Sequence, residues 1–234
     1  MLSIKHTWIV LFGLLIFWKC EKPLTAEIIL NRSIKAHRFD PPIDSLTYIK
    51  TSQLFFPDGT LEKESIEKHH LRWRPFVHHI YSNNQHLSWR GDSIYNHTDA
   101  TVLKEGKEYI AAKNKFNAAY FVFWQPAKLV DKKAVLVYKG QEMLPNQQPV
   151  HAIEVSYTQH NSTDQWVFYF DTKNYLNRGY SVQHNGRWSL ILNDEFHLKH
   201  HPILVKKRRS FMVDSLTNRR VLRAAYTYEI SSLK

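Results

Sequence analysis

Histidine is abundant in this 234-residue sequence, with 14 copies and adjacent pairs at His69-His70, His78-His79 and His200-His201. A transition-metal site needs three or four such ligands converging, usually fixed by a further layer of hydrogen bonds. His197, His200 and His201 come closest to ligand spacing, yet no His-Glu-x-x-His pattern and no cysteine pair accompanies them. The histidines are therefore read as surface or hairpin residues, and no metal is expected. Gly91-Asp92-Ser93-Ile94 has the letters of a hydrolase serine block. Such a block needs a strand-to-helix turn in a parallel α/β unit, and no such pattern surrounds it. Arg90-Gly91-Asp92 is an equally cheap coincidence. The run Lys206-Lys207-Arg208-Arg209 would suggest nucleic acid in a cytosolic chain. Behind an export signal it reads as a partly solvated strand segment able to face anionic head groups. No Gly-rich phosphate loop, paired carboxylates or nucleophile elbow stands out, so no catalytic residue, no cofactor and no enzyme is expected.

The export signal lies at the N-terminus. Lys5 and His6 precede an apolar run over residues 8–18, the layout of a signal peptide over residues 1–19. The run is about half the roughly 20 residues a spanning helix needs. The single cysteine, Cys20, follows it and can form no internal disulfide. A cysteine at this place resembles the lipobox of bacterial lipoproteins, whose thiol carries a diacylglycerol. That resemblance implies lipid attachment at Cys20, residues 20–25 as a spacer, and a membrane partner engaged through the anchor. Trp18 and Lys19 are larger than the residues usual before such a cysteine. The alternative is an inert cysteine in an uncleaved or differently cleaved signal.

The elements behind the signal must form one core. Apolar residues make up 43% of the chain, enough for a single β-rich domain over residues 26–234. The formal charge of +11 suits an anionic lipid surface. Thr25 can cap a helix over residues 26–38, with Glu27 in its first turn, a stripe of Ile29, Leu30, Ile34 and His37, and Pro41-Pro42 as its stop. Beyond Ser45 the period becomes two. Pro57-Asp58-Gly59-Thr60 joins strands over 46–56 and 61–73, and short strands follow at 77–81, 86–90 and 93–97. Residues 107–120 suit a second helix, ended by the apolar run 121–124 and Pro126. Strands then follow at 134–138, 150–157, 165–171, 175–183, 187–192, 203–213 and 219–230, with Asn185-Gly186 as a tight hairpin turn. The class is α+β, mostly antiparallel β, with helix packed on a curved sheet. Trp166, Phe168 and Phe170 share one face of their strand, and Trp188, Leu190 and Leu192 form a second row. These rows are core or cavity lining. The expectation is that Trp166, Phe168, Phe170 and Trp188 face the concave side, with Phe121, Phe123 and Trp124 near its mouth.

Two stretches carry a family likeness. Ala26-Glu27-Ile28-Ile29-Leu30-Asn31-Arg32-Ser33-Ile34-Lys35-Ala36-His37 resembles the opening helix of Bacteroidetes-type envelope lipoproteins, which are similar to the LolA/LolB-like lipoprotein-localisation superfamily. Phe121-Val122-Phe123-Trp124-Gln125-Pro126-Ala127-Lys128-Leu129-Val130-Asp131 resembles that group's central segment, and the strand succession from Ala134 onward fits it. The resemblance implies an unclosed antiparallel half-barrel with one or two helices on its concave face, a surface that in the better-known relatives holds lipoprotein acyl chains. The expected protein is a monomeric, non-enzymatic outer-membrane lipoprotein facing the periplasm. It would bind an acyl chain or a lipoprotein through Phe121, Phe123, Trp124, Trp166, Phe168, Phe170 and Trp188, and no nucleic acid. The alternative is a structural or interaction lipoprotein whose barrel is filled by its own side chains.

Overall fold

The two periodicities of the sequence become two helices and thirteen strands in the computed structural model, which describes residues 23–39, 43–131, 133–157 and 164–234. The expected signal, Cys20 and the Pro41-Pro42 stop lie outside the described residues. Helix α1, Ala26–His37, opens as its residues dictate: the Ile28 N–H donates to Thr25 Oγ1 at 3.3 Å, and Glu27 sits at the positive end of the helix dipole. Its stripe of Ile29, Leu30, Ser33 and His37 is buried.

Strands β1 (Ser45–Phe55) and β2 (Leu61–Trp73) flank the expected turn, where the Asp58 carboxylate accepts from the backbone N–H and the hydroxyl of Thr60. The meander continues through β3 (Phe76–Ser82), β4 (Gln85–Arg90), β5 (Ser93–Asn96) and β6 (Thr101–Leu103). Three residues are too few to display alternation, which is why β6 is not visible in the sequence. Helix α2, Gly106–Trp124, then leads to β7 (Ala134–Met143). A second meander follows through β8 (Pro149–Tyr157), β9 (Gln165–Asp171), β10 (Asn177–His184), β11 (Arg187–His197), β12 (Leu204–Val213) and β13 (Arg220–Leu233).

Strand β13 pairs antiparallel with β1, so the two meanders fuse into one sheet of 13 strands ordered β6-β5-β4-β3-β2-β1-β13-β12-β11-β10-β9-β8-β7. The result is an unclosed half-barrel whose edges are β6 and β7. The chain leaves one edge and enters at the other, and α2 is the connector, so this helix crosses the open, concave side. Its first turns bury Ala112 and Phe116 on Ile80, Leu87 and Ile94, and its end buries Val122 and Phe123 on Leu46, Tyr48 and Tyr228. Helix α1 covers Ile153, Phe168, Phe170 and Ile191 on the same face.

One boundary differs from the sequence reading. The aromatic run 121–124 is the last turn of α2, not its terminator; the helix ends where Pro126 removes a backbone donor. Each helical residue turns by about 100°, so Phe121 and Phe123 project to nearly opposite sides of the helix and the three aromatics cannot share one wall.

A cavity with a buried arginine on the concave face

Between α2 and the middle of the sheet lies an open cavity of about 340 Å³, at the lower end of the ~300–1,000 Å³ range of small-molecule sites. Its floor is Tyr180 of β10, Ile191 of β11, Arg208 of β12, and Tyr226 and Tyr228 of β13. Its roof is Phe121 with the small Ala118 and Ala119, whose methyl groups leave the space open. Register explains the floor. Asn193, Arg208 and Tyr226 are opposite one another across β11, β12 and β13, and opposed residues of antiparallel strands point the same way.

Arg208 is 5% exposed. Its guanidinium lies over the Tyr180 ring at 5.2 Å, with Tyr226 and Tyr228 also beside it. Its Nε has no hydrogen-bond partner, and among the described residues no carboxylate pairs with it. Arginine stays protonated even so, and burial raises the pKa of Tyr226 and Tyr228, so neither supplies a counter-charge. The rest of the cationic run behaves differently. Lys206 and Lys207 both bind Glu195, at 3.3 and 2.7 Å, and Arg209 forms two bonds to Asp194, at 2.8 and 2.7 Å. The reading of the whole run as a partly solvated strand thus needs correction at Arg208. Strand alternation turns Arg208 inward, opposite in direction to its neighbours Lys207 and Arg209.

The aromatic residues singled out in the sequence separate into four roles. Phe121 lines the cavity and meets Tyr180 and Trp166 edge-on, each at 5.8 Å. Trp166 stands beside it, stacked on Phe168 at 6.2 Å. Phe168 and Phe170 are fully buried beneath α1, and Phe123 is wedged between Tyr48 and Tyr228 at 4.7 and 5.2 Å, so all three are core. Trp124 stacks on Trp73 at 4.2 Å and lines no part of the cavity. Trp188 contradicts its expected direction. It is opposite Gln183 and Val213, whereas its neighbour Ser189 is opposite Val182, which is itself opposite Trp166. Ser189 therefore shares the concave face with Trp166, and Trp188 lies on the outer one. There it borders a second cavity of about 440 Å³ with Val167, Tyr169 and Leu190. That cavity is larger, but its charged residues Glu142, Asp214 and Arg220 are exposed. Of the two cavities, the inner one is lined by a buried charge, Arg208.

A second polar group is buried on the concave face. Glu67 binds Lys50 at 3.0 Å, Lys115 of α2 at 2.7 Å and His69 Nε2 at 3.4 Å. Burial pushes the Glu67 carboxyl up, but the bonds from His69, Lys50 and Lys115 outweigh it and hold the group well below the usual carboxylate range. His69 Nδ1 reaches His78 Nε2 at 3.1 Å, and burial lowers the pKa of both rings. Glu67, His69 and His78 do not line the cavity; they clasp β1, β2 and β3 to α2.

The remaining histidines also redistribute. His197 Nε2 is 2.7 Å from the Tyr228 carbonyl, and the His200 ring is 5.4 Å from it edge-on, which occupies part of the trio nearest to ligand spacing. Among the described residues a different trio converges, His79, His86 and His97, with one ligating atom from each lying within 4.8 Å of the others.

No protein-family model and no curated protein matches the sequence. Solved structures do match. A LolA superfamily protein from Nitrosomonas europaea is 11% identical, with 90% of this chain and 93% of that one covered at a TM-score of 0.51. A Vibrio parahaemolyticus domain described as outer membrane lipoprotein-sorting is 11% identical, with 89% and 92% covered at a TM-score of 0.53. At such identity the likeness concerns the fold alone: the chain adopts the LolA-like half-barrel fold.

Proposed function

We propose that this protein is a non-enzymatic binder of anionic amphiphiles, taking an acyl chain along the concave cavity and its acidic head group onto Arg208. The observation that carries the reading is Arg208 itself. A buried charge without a counter-charge costs several kcal/mol, and this one borders a cavity that a ligand can enter. An anionic head group supplies the missing counter-charge and an acceptor for the free Nε. The chain contributes roughly 0.8 kcal/mol per buried methylene, on the order of 8 kcal/mol for ten, before association costs. The lipoprotein-sorting description of the Vibrio neighbour agrees with a ligand of this kind and with a place in the bacterial envelope. The second reading, a half-barrel filled by its own side chains, draws on the packed positions of Phe123, Phe168 and Phe170.

A fluorescent fatty acid separates the two. The wild type is expected to bind it, and Phe121→Leu to bind it more weakly while melting as the wild type does. Arg208→Met should reduce affinity for the fatty acid about tenfold or more, since a bond to a charged partner contributes about 1.5–3 kcal/mol. It should leave binding of the matching fatty alcohol unchanged and not lower the melting temperature. A wild type that never binds the probe leaves the self-filled reading standing.

The anchor is a separate proposal. If Cys20 is acylated, Cys20→Ala moves the protein from the membrane fraction to the soluble or unprocessed pool, because two or three chains hold a protein on a bilayer where one does so only marginally. Unchanged fractionation, with no lipid mass on the N-terminal peptide, would count against the anchor and leave the cavity proposal untouched.

A further inference from the structure

We infer that His79, His86 and His97 form a binding site for a divalent transition-metal cation, with zinc as its reference ion, on the outer face of the β3–β5 meander. The site is independent of the concave cavity. Three segments contribute one imidazole each: His79 from β3, His86 from β4, and His97 just beyond β5. Strand geometry brings them together. His79 is opposite Ser88, His86 is opposite Tyr81, and the His97 N–H donates to the His86 carbonyl at 2.9 Å. All three therefore occupy one corner of the outer face, while the neighbouring His78 points inward.

Three features suit metal binding. First, His79 Nδ1 and His86 Nε2 are 3.1 Å apart, and the whole trio lies within 4.8 Å. Tetrahedral zinc at ~2.0–2.1 Å holds its ligand nitrogens about 3.3 Å apart, so only His97 has to turn inward, opening its 4.2 Å stack on His86. Second, neighbours outside the trio hold its rings. Buried Ser88 places its Oγ 2.8 Å from His97 Nε2, the kind of outer bond that fixes a metal-bound imidazole, and Tyr81 stacks on His86 at 4.2 Å. Third, the turn carrying His97 is pinned, because the His86 N–H donates to Thr98 Oγ1 at 2.9 Å and Asn96 Nδ2 donates to Asp99 at 2.7 Å. The exposed side of His97 leaves the fourth position to water, the arrangement of open three-histidine sites.

The test uses the chain purified without a polyhistidine tag and dialysed against micromolar zinc. One zinc per chain is expected, with a rise in melting temperature. Substituting His79→Ala, His86→Ala and His97→Ala together should abolish stoichiometric binding. The matched set His197→Ala, His200→Ala and His201→Ala should keep it. His97→Asn changes one exposed residue and should weaken binding at least about tenfold while circular dichroism stays native. The proposal is overturned if the wild type holds no stoichiometric zinc, if the first set retains the metal, or if the matched set loses it. In the first case the rings are a cross-strand stacking ladder and nothing more.

Discussion

Replacing Gly179 by alanine is expected to cost at least about 3 kcal/mol, lowering the melting temperature by roughly 6–12 °C. Gly179 adopts φ +132, a backbone conformation that side chains avoid, and a Cβ built there would lie 1.9 Å from the Ile191 carbonyl oxygen. Strain and overlap add, because neither can relax alone. Turning φ toward ordinary values would disturb the register shift between Asn177 and Gly179, and moving Ile191 would disturb the cavity floor. Hydrogen bonds also tie the neighbourhood down: the Gly179 N–H donates to Asn177 Oδ1 at 3.1 Å, and Asn193 Nδ2 donates to both oxygens of Asn177 at 3.0 Å, leaving Asn177 Nδ2 and Asn193 Oδ1 without partners. Gly186→Ala provides the comparison. Gly186 has φ +74 but nothing within 4 Å of its Cβ position, so it carries only the left-handed penalty of about 1–2 kcal/mol. Equal losses in urea melts of the two variants would show that the contact with Ile191 relaxes and that the bulge is not a fixed point of the fold.

The same junction shows where the sequence is legible and where it is not. Helix α1 could be read residue by residue because a cap, an acidic first turn and an apolar stripe are all local. The turns at 57–60 and 185–186 were equally plain, since Asn185 and Gly186 both take the positive φ that their types tolerate. The fused order of the sheet was not readable. The β1–β13 pair joins the two ends of the domain, and no local pattern encodes which distant strands meet.

Trp188 shows the intermediate case. The two-residue turn fixes its position opposite Gln183, but whether that is the inner face depends on how β9 meets β10, where Trp166 is opposite Val182 and not Gln183. A one-residue change in that register would send Trp188 to the other face. Arg208 is hidden for a related reason. Four consecutive cations look like a solvated edge, yet any strand sends alternate members inward, and only its neighbours decide whether the inward one meets water or tyrosine. Adjacent histidines carry the same ambiguity. His69 and His70 necessarily diverge, as do His78 and His79, so a pair in the sequence is never a pair of ligands on one strand. The trio that does converge is spread over residues 79–97 and emerges only once strand neighbours are known.

Acid is expected to loosen this fold well above the pH at which carboxylates titrate, with His37 as a principal cause. At the end of α1, His37 is 1% exposed; its Nδ1–H donates to the Ile203 carbonyl at 2.9 Å, and its Nε2 accepts from the Asn177 N–H at 3.0 Å. A ring that accepts at Nε2 must be neutral. Protonation would break that bond and bury a second cation near Arg178. Burial lowers its pKa from 6.5 to about 4, against the raising effect of the bond to Ile203 and with a smaller lowering from Arg178. The folded pKa is the lower one, so the unfolded chain takes up the proton first. The stability tied to the neutral ring is therefore complete above pH 6.5 and is lost as pH falls toward 4, by about 1.4 kcal/mol per unit, roughly 3 kcal/mol in all. The shift at His79 has the same sign and adds to the wild-type slope, so the comparison has to be differential. His37→Gln should be less stable than the wild type at pH 7.5, having lost one of two buried bonds. The gap between them should narrow by about 2–3 kcal/mol by pH 4.5, because the variant has no proton to take up at this position. Asp171 does not confuse the result. Burial raises its pKa, but its bonds from Lys173, Asn174 and Arg178 hold it below the usual range, so its contribution is lost only at lower pH. A stability gap that stays constant across this interval would mean that His37 titrates alike in the folded and unfolded chains, and the clip joining α1 to Asn177 and Ile203 would need another explanation.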